Sequence, residues 1–138
     1  METYEHLLIS SVVSPAVAYF VFGFSGIELA AFSVYGILLG VFIDLDHFVV
    51  HRIQEENWKY LKNALKNPFE VTTNNIKVVD NPIPNWSRYL SHFIILALLP
   101  AALYLFDQTV AEFSFIMLGS HITSDVYRSW RKDKLFFD

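Results

Sequence analysis

Two carboxylates and two imidazoles, Asp44, Asp46, His47 and His51, close the apolar run that leads into Gly40-Val-Phe-Ile-Asp-Leu-Asp-His-Phe-Val-Val-His-Arg52. Asp and His beside apolar sequence are costly to bury unless they pair with one another or hold a metal ion. The other histidines are His6, His92 and His121, and Asp125 follows His121 by four positions. On a helix that spacing puts His121 and Asp125 on one face, and Asp44 and His47, three apart, likewise share one. Asp46 would point away on an unbroken helix. Either the helix ends near Leu45, or Asp46 orients a histidine ligand from behind. His51 falls on the Asp44 stripe but about 10 Å further along at ~1.5 Å per residue. That is too far for the same ion; a second metal, a substrate contact or a surface role are the options, and the last two are favoured.

The chemistry expected of such a set is metal binding. Imidazole nitrogen and carboxylate oxygen suit zinc, Fe(II), manganese or nickel, and there is no cysteine to add a thiolate. Zinc is the first expectation for this divalent ion. Its ligands would come from His6, Asp44, His47, His92, His121 and Asp125. A metal-bound water of lowered pKa could act as a nucleophile, with Asp46 or an unligated carboxylate accepting its proton. Arg88 could hold an anionic group, bidentately if that group is a phosphate. Two plainer readings exist: His6 as an ordinary interfacial residue, and Asp44 and Asp46 as helix caps. Neither accounts for the joint placement.

The elements that must position these residues are apolar. The chain has 138 residues, enough for one domain. It is 54% hydrophobic and only 17% charged, against about 25% charged in a soluble domain. Its mean hydropathy is +0.36. A net charge of -4 argues against nucleic acid as a partner. Four apolar segments stand out, at about Leu7 to Phe24, Leu29 to Ile43, Phe93 to Phe106 and Val110 to Ser124. Each is shorter than the ~20 residues of a standard span, and polar ends or a thinned bilayer can make up the difference. Pro15 and Pro100 lie inside the first and third, which membrane bundles tolerate. The sequence therefore predicts an all-α integral membrane bundle of about four helices, in two hairpins joined by residues 44 to 92. A very apolar soluble bundle is the alternative.

In that long connection, Trp58, Leu61 and Leu65 form one helical stripe beside Lys59, Lys62 and Lys66. Such a helix can lie among lipid headgroups or simply cover the bundle end. Glu70-Val-Thr-Thr and Ile76-Lys-Val-Val flank Asn74-Asn75, which fits a small β-hairpin capping the site. The tail from Tyr127 to Phe137 mixes basic and aromatic residues and suits a membrane interface. All ten Lys and Arg fall in the long connection, the tail or the segment ends beside them, and the two short turns carry only Glu28, Asp107 and Glu112. By the positive-inside rule, the long loop and both termini face the cytoplasm. In an up-down-up-down bundle His6, Asp44, Asp46, His47, His92, His121 and Asp125 then lie at that same end. Membrane lipids are the expected surroundings, and a homo-oligomer is compatible with this layout.

Asp44-Leu-Asp-His47, Ser91-His92 and His121-Ile-Thr-Ser-Asp125, with the early His6, resemble the YdjM-like family of predicted membrane-bound metal-dependent hydrolases. The resemblance covers most of the chain but rests on about seven positions, and it implies hydrolase activity; a phosphoester or lipid head group as substrate is the expectation from Arg88, the basic loop and the membrane depth of the site. The third element departs from the family's His-Arg-x-x-Thr-His-Ser: here Ser87 and Ser91 replace the first His and the Thr, while Arg88 and His92 are kept. A metal-ion transporter, or a metal-binding membrane protein without hydrolytic activity, would use the same ligands without an open position for water. A structural protein would use the cluster as a hydrogen-bonded network.

Overall fold

The computed structural model describes residues 3–56, 58–66 and 85–131. Among them the secondary structure is helical throughout: α1 Thr3–Phe20, α2 Gly26–Phe42, a 3₁₀ turn Ile43–Leu45, α3 Asp46–Glu55, α4 Lys59–Lys66, α5 Asn85–Tyr104 and α6 Gln108–Arg131. The β-hairpin expected over 70–79 and most of the expected cap lie outside the described residues, as does the tail beyond 131.

Helix α1 packs on α2 and α5 on α6, giving two hairpins; α6 then packs on α1 and α2, and α3 on α5. The first hairpin turns through Gly23 and Gly26, both at positive φ (69° and 54°), where a side chain would be strained. The second turns at Asp107, whose Oδ1 accepts the Val110 N–H at 2.9 Å and caps α6. The two hairpins differ from expectation at their site ends. The helix does not stop at Ile43 but runs on through the 3₁₀ turn into α3, so residues 46–55, expected as loop, are helical. Likewise α5 begins at Asn85, not at Phe93. The apolar runs mark only part of each helix, and the amphiphilic ends carry the same hydrogen-bonded ladder onward.

Small residues set the α1–α2 distance. Gly36 and Gly40 on α2, four apart, face Ser14 and Ser10 on α1. A Cβ at Gly36 would lie 2.2 Å from Ser14 Oγ, and one at Gly40 would lie 1.9 Å from Ser10 Oγ. This is the small-xxx-small packing that lets helix backbones approach closely. Ser14 Oγ lies 2.9 Å from the Ser33 carbonyl and 3.1 Å from that of Phe32, so it donates across the interface. Further along, Ala18, Phe113 and Met117 form a buried apolar core, with Phe22, Phe24, Phe32 and Tyr35 packed around it. The interior is thus apolar toward the hairpin turns and polar toward the opposite end.

Large apolar side chains also cover the outside: Val12, Phe20, Ile27, Leu98, Leu105 and Phe106 are all exposed. Two helical stretches, Gly26–Gln54 and Trp86–Tyr104, are long and apolar enough to cross a membrane.

Candidate metal centre

Five elements deliver the polar end. His6 lies in the first turns of α1, Asp44 in the 3₁₀ turn, Asp46 and His47 in the first turn of α3, Arg88 and His92 on α5, and His121 and Asp125 on α6. Local spacing pairs Asp44 with His47 and His121 with Asp125, and the packing of the helices brings these pairs together with His6 and His92. The 3₁₀ turn matters because residues three apart eclipse in that geometry. Asp44 Oδ1 accordingly stands 3.2 Å from His47 Nε2.

His6, His92, His121 and Asp125 are all buried, His92 completely. Their ligating atoms converge. His6 Nε2 is 3.3 Å from Asp125 Oδ1 and 3.5 Å from Asp44 Oδ2. His121 Nε2 is 3.6 Å from both Asp44 Oδ1 and Asp125 Oδ2. These separations are close to the edge of a tetrahedron about a zinc ion, roughly 3.3–3.5 Å for metal–ligand bonds of ~2.0–2.1 Å. A second group, Asp44, His47 and His92, shares the Asp44 carboxylate. His92 Nε2 lies 3.6 Å from Asp44 Oδ1 and 3.7 Å from Asp125 Oδ2, between the two groups. The cluster is a buried His/Asp group able to hold a metal ion.

The outer contacts fix which nitrogen faces inward. His121 Nδ1 lies 2.9 Å from the Gly40 carbonyl, which can only accept, so the ring donates there and keeps its lone pair on Nε2. His92 Nδ1 donates to Asp46 Oδ2 at 2.8 Å. Asp46 Oδ1 is 2.9 Å from His47 Nδ1, close by although without hydrogen-bond geometry. The Asp46 carboxylate therefore backs the His92 imidazole, the arrangement that holds a metal-binding histidine in orientation. The Arg88 Nε–H donates to His47 Nε2 at 3.3 Å. His6 stacks on His121 with ring centroids 3.9 Å apart. With the outward atoms engaged, His6 Nε2, His92 Nε2, His121 Nε2 and Asp44 Oδ1 remain buried without any hydrogen-bond partner. Buried polar atoms left unpaired cost about 1–3 kcal/mol each. A cation at their centre removes that cost.

Each residue singled out from the sequence as a metal ligand lies in this cluster. Asp46 and Arg88 touch its histidines from outside. His51 is buried and belongs to neither ligand group, so it has no surface role. The Gly40 carbonyl could not be foreseen, because a backbone acceptor carries no side-chain signal. The Glu5–Arg128 ion pair, which ties the start of α1 to the end of α6 beside the cluster, was missed as well. No family model, no curated protein and no solved structure matches this chain.

Proposed function

We propose that the chain is an integral membrane, metal-dependent hydrolase whose divalent ion, zinc in the first instance, sits among His6, Asp44, His121 and Asp125, with His92 beside it. The observation that carries this reading is the convergence of buried atoms without hydrogen-bond partners, His6 Nε2, His121 Nε2 and Asp44 Oδ1, from separate elements beside Asp125. A shared ion would satisfy these atoms together, where pairwise contacts of 3.3–3.6 Å between the rings and carboxylates are long for hydrogen bonds.

A bound divalent ion would supply a water of lowered pKa as the nucleophile. The chain's own residues do the rest. Gly40 and Asp46 hold the rings of His121 and His92 with their lone pairs inward. Asp46, whose oxygens both face ring nitrogens, is a positioning residue in this reading rather than the proton acceptor. Arg88 stands at the rim and offers a guanidinium to an anionic group.

The membrane assignment draws on exposure. In the two candidate spans only 17% and 22% of the apolar window is buried, the reverse of a soluble core helix. Trp86 and Trp130 are exposed, and each lies at the site end of its helix. Tryptophan favours the membrane–water boundary. This supports a cluster near headgroup depth and, with Arg88, a phosphoester of a membrane lipid as substrate.

The test is to purify the protein in detergent, measure bound metal, and assay a panel of phospholipids, lipid phosphates and model phosphoesters. Metal-dependent cleavage of one class is the expected result. Stoichiometric metal with no cleavage of any of them would leave metal binding in place and remove the hydrolase. Metal uptake into vesicles by that inactive protein would replace it with a transporter.

A further inference from the structure

We propose that Arg88 guards a second cation position, formed by Asp44 Oδ1, His47 and His92, and that an anion releases it. This rests on the metal reading above. Asp44 would then bridge two ions, one in each ligand group.

The second position has the same kind of vacant donors as the first. Asp44 Oδ1 and His92 Nε2 are buried and lack hydrogen-bond partners, and both lie within 3.6 Å of one another, with His47 Nε2 3.2 Å from the same oxygen. One difference separates the groups. In the first, the Nε2 atoms of His6 and His121 have no partner. In the second, the lone pair of His47 Nε2 already receives the Arg88 Nε–H. That nitrogen has one lone pair, so it cannot accept from Arg88 and bind a metal at once. The guanidinium is also permanently charged and repels an incoming cation.

The two positions should therefore load unequally. The first ion binds to donors that are ready. The second must displace Arg88 from His47. An anion with two oxygens free, such as a phosphate group, pairs bidentately with a guanidinium and draws it away. Anion and second ion then bind with positive coupling, and the coupling is reciprocal by linkage. A phosphoester would thus complete the two-ion site as it arrives, which deepens the substrate class proposed above.

The experiment uses the full-length, detergent-purified chain, stripped with chelator and titrated with Mn²⁺ by calorimetry. Electron paramagnetic resonance follows formation of an exchange-coupled pair. Wild type is expected to show one tight and one weaker step. Arg88→Met should tighten the second step roughly tenfold or more, the scale of a lost hydrogen bond to a charged group, and move the first far less. Arg88→Ala, as a second variant, should do the same. His47→Ala should delete the second step and keep the first. Inorganic phosphate should tighten the second step in wild type but not in either Arg88 variant. The proposal is overturned if both Arg88 variants leave the second step unchanged, tighten both steps equally, or saturate at one ion. A wild-type chain that binds no Mn²⁺ in either step defeats the metal centre itself rather than this inference alone.

Discussion

His92 and Asp46 meet at 2.8 Å across a sequence separation of 46 residues. The contact joins α3 to α5, and it turns the His92 lone pair toward Asp44 and Asp125. In the proposed metal centre Asp46 thus acts through a histidine. Asp46→Ala should leave the helices intact and weaken metal binding by roughly 10–100-fold, the usual cost of losing such a carboxylate. Competition against a fluorescent chelator measures this directly. Full retention of affinity would show that Asp46 does not orient the ligand.

The α1–α2 interface makes a sharper structural prediction. Ser10 occupies the space a side chain at Gly40 would need, whereas nothing lies within 4 Å of a Cβ at Gly119. Gly40→Val should destabilise the fold by about 1–3 kcal/mol through overpacking. It should also loosen metal binding, because the Gly40 carbonyl anchors His121. Gly119→Ala on the same scaffold should be neutral or stabilising by up to about 1 kcal/mol through helix propensity. Thermal unfolding in detergent separates the two. Equal midpoints for both variants would contradict the close packing.

Orientation can be tested cleanly because the chain contains no cysteine. Single cysteines placed at Lys66 and at Asp107 should label from opposite sides of the membrane in intact cells or sealed vesicles. Position 66 is expected on the cytoplasmic side and position 107 on the other, following the distribution of Lys and Arg. Labelling of both from one side would contradict the membrane bundle.

Much of the candidate site could be read from residue types alone. Five histidines in an apolar chain are conspicuous, and the hairpin layout places His6, His92 and His121 at one end because each stands near the start or end of an apolar run. The helical spacing of His121 and Asp125 survives unchanged in α6. What could not be read is local geometry. An unbroken helix points Asp46 away; the 3₁₀ turn at Ile43–Leu45 and the reach of His92 from α5 bring it into contact. The helical extension over 46–55 was hidden because polar residues interrupt the apolar run that defined the segment. The Gly40–His121 hydrogen bond and the contact of Arg88 with His47 depend on how α6 and α5 dock, which no periodicity within one helix encodes.

The most direct test of the centre is the metal content of the chain with and without Asp44, the residue shared by both ligand groups. Elemental analysis of detergent-purified wild type should find at least one divalent ion per chain, and Asp44→Ala, folded by circular dichroism, should retain essentially none. Wild type without stoichiometric metal, or an Asp44→Ala variant that keeps the full complement, would contradict the metal centre.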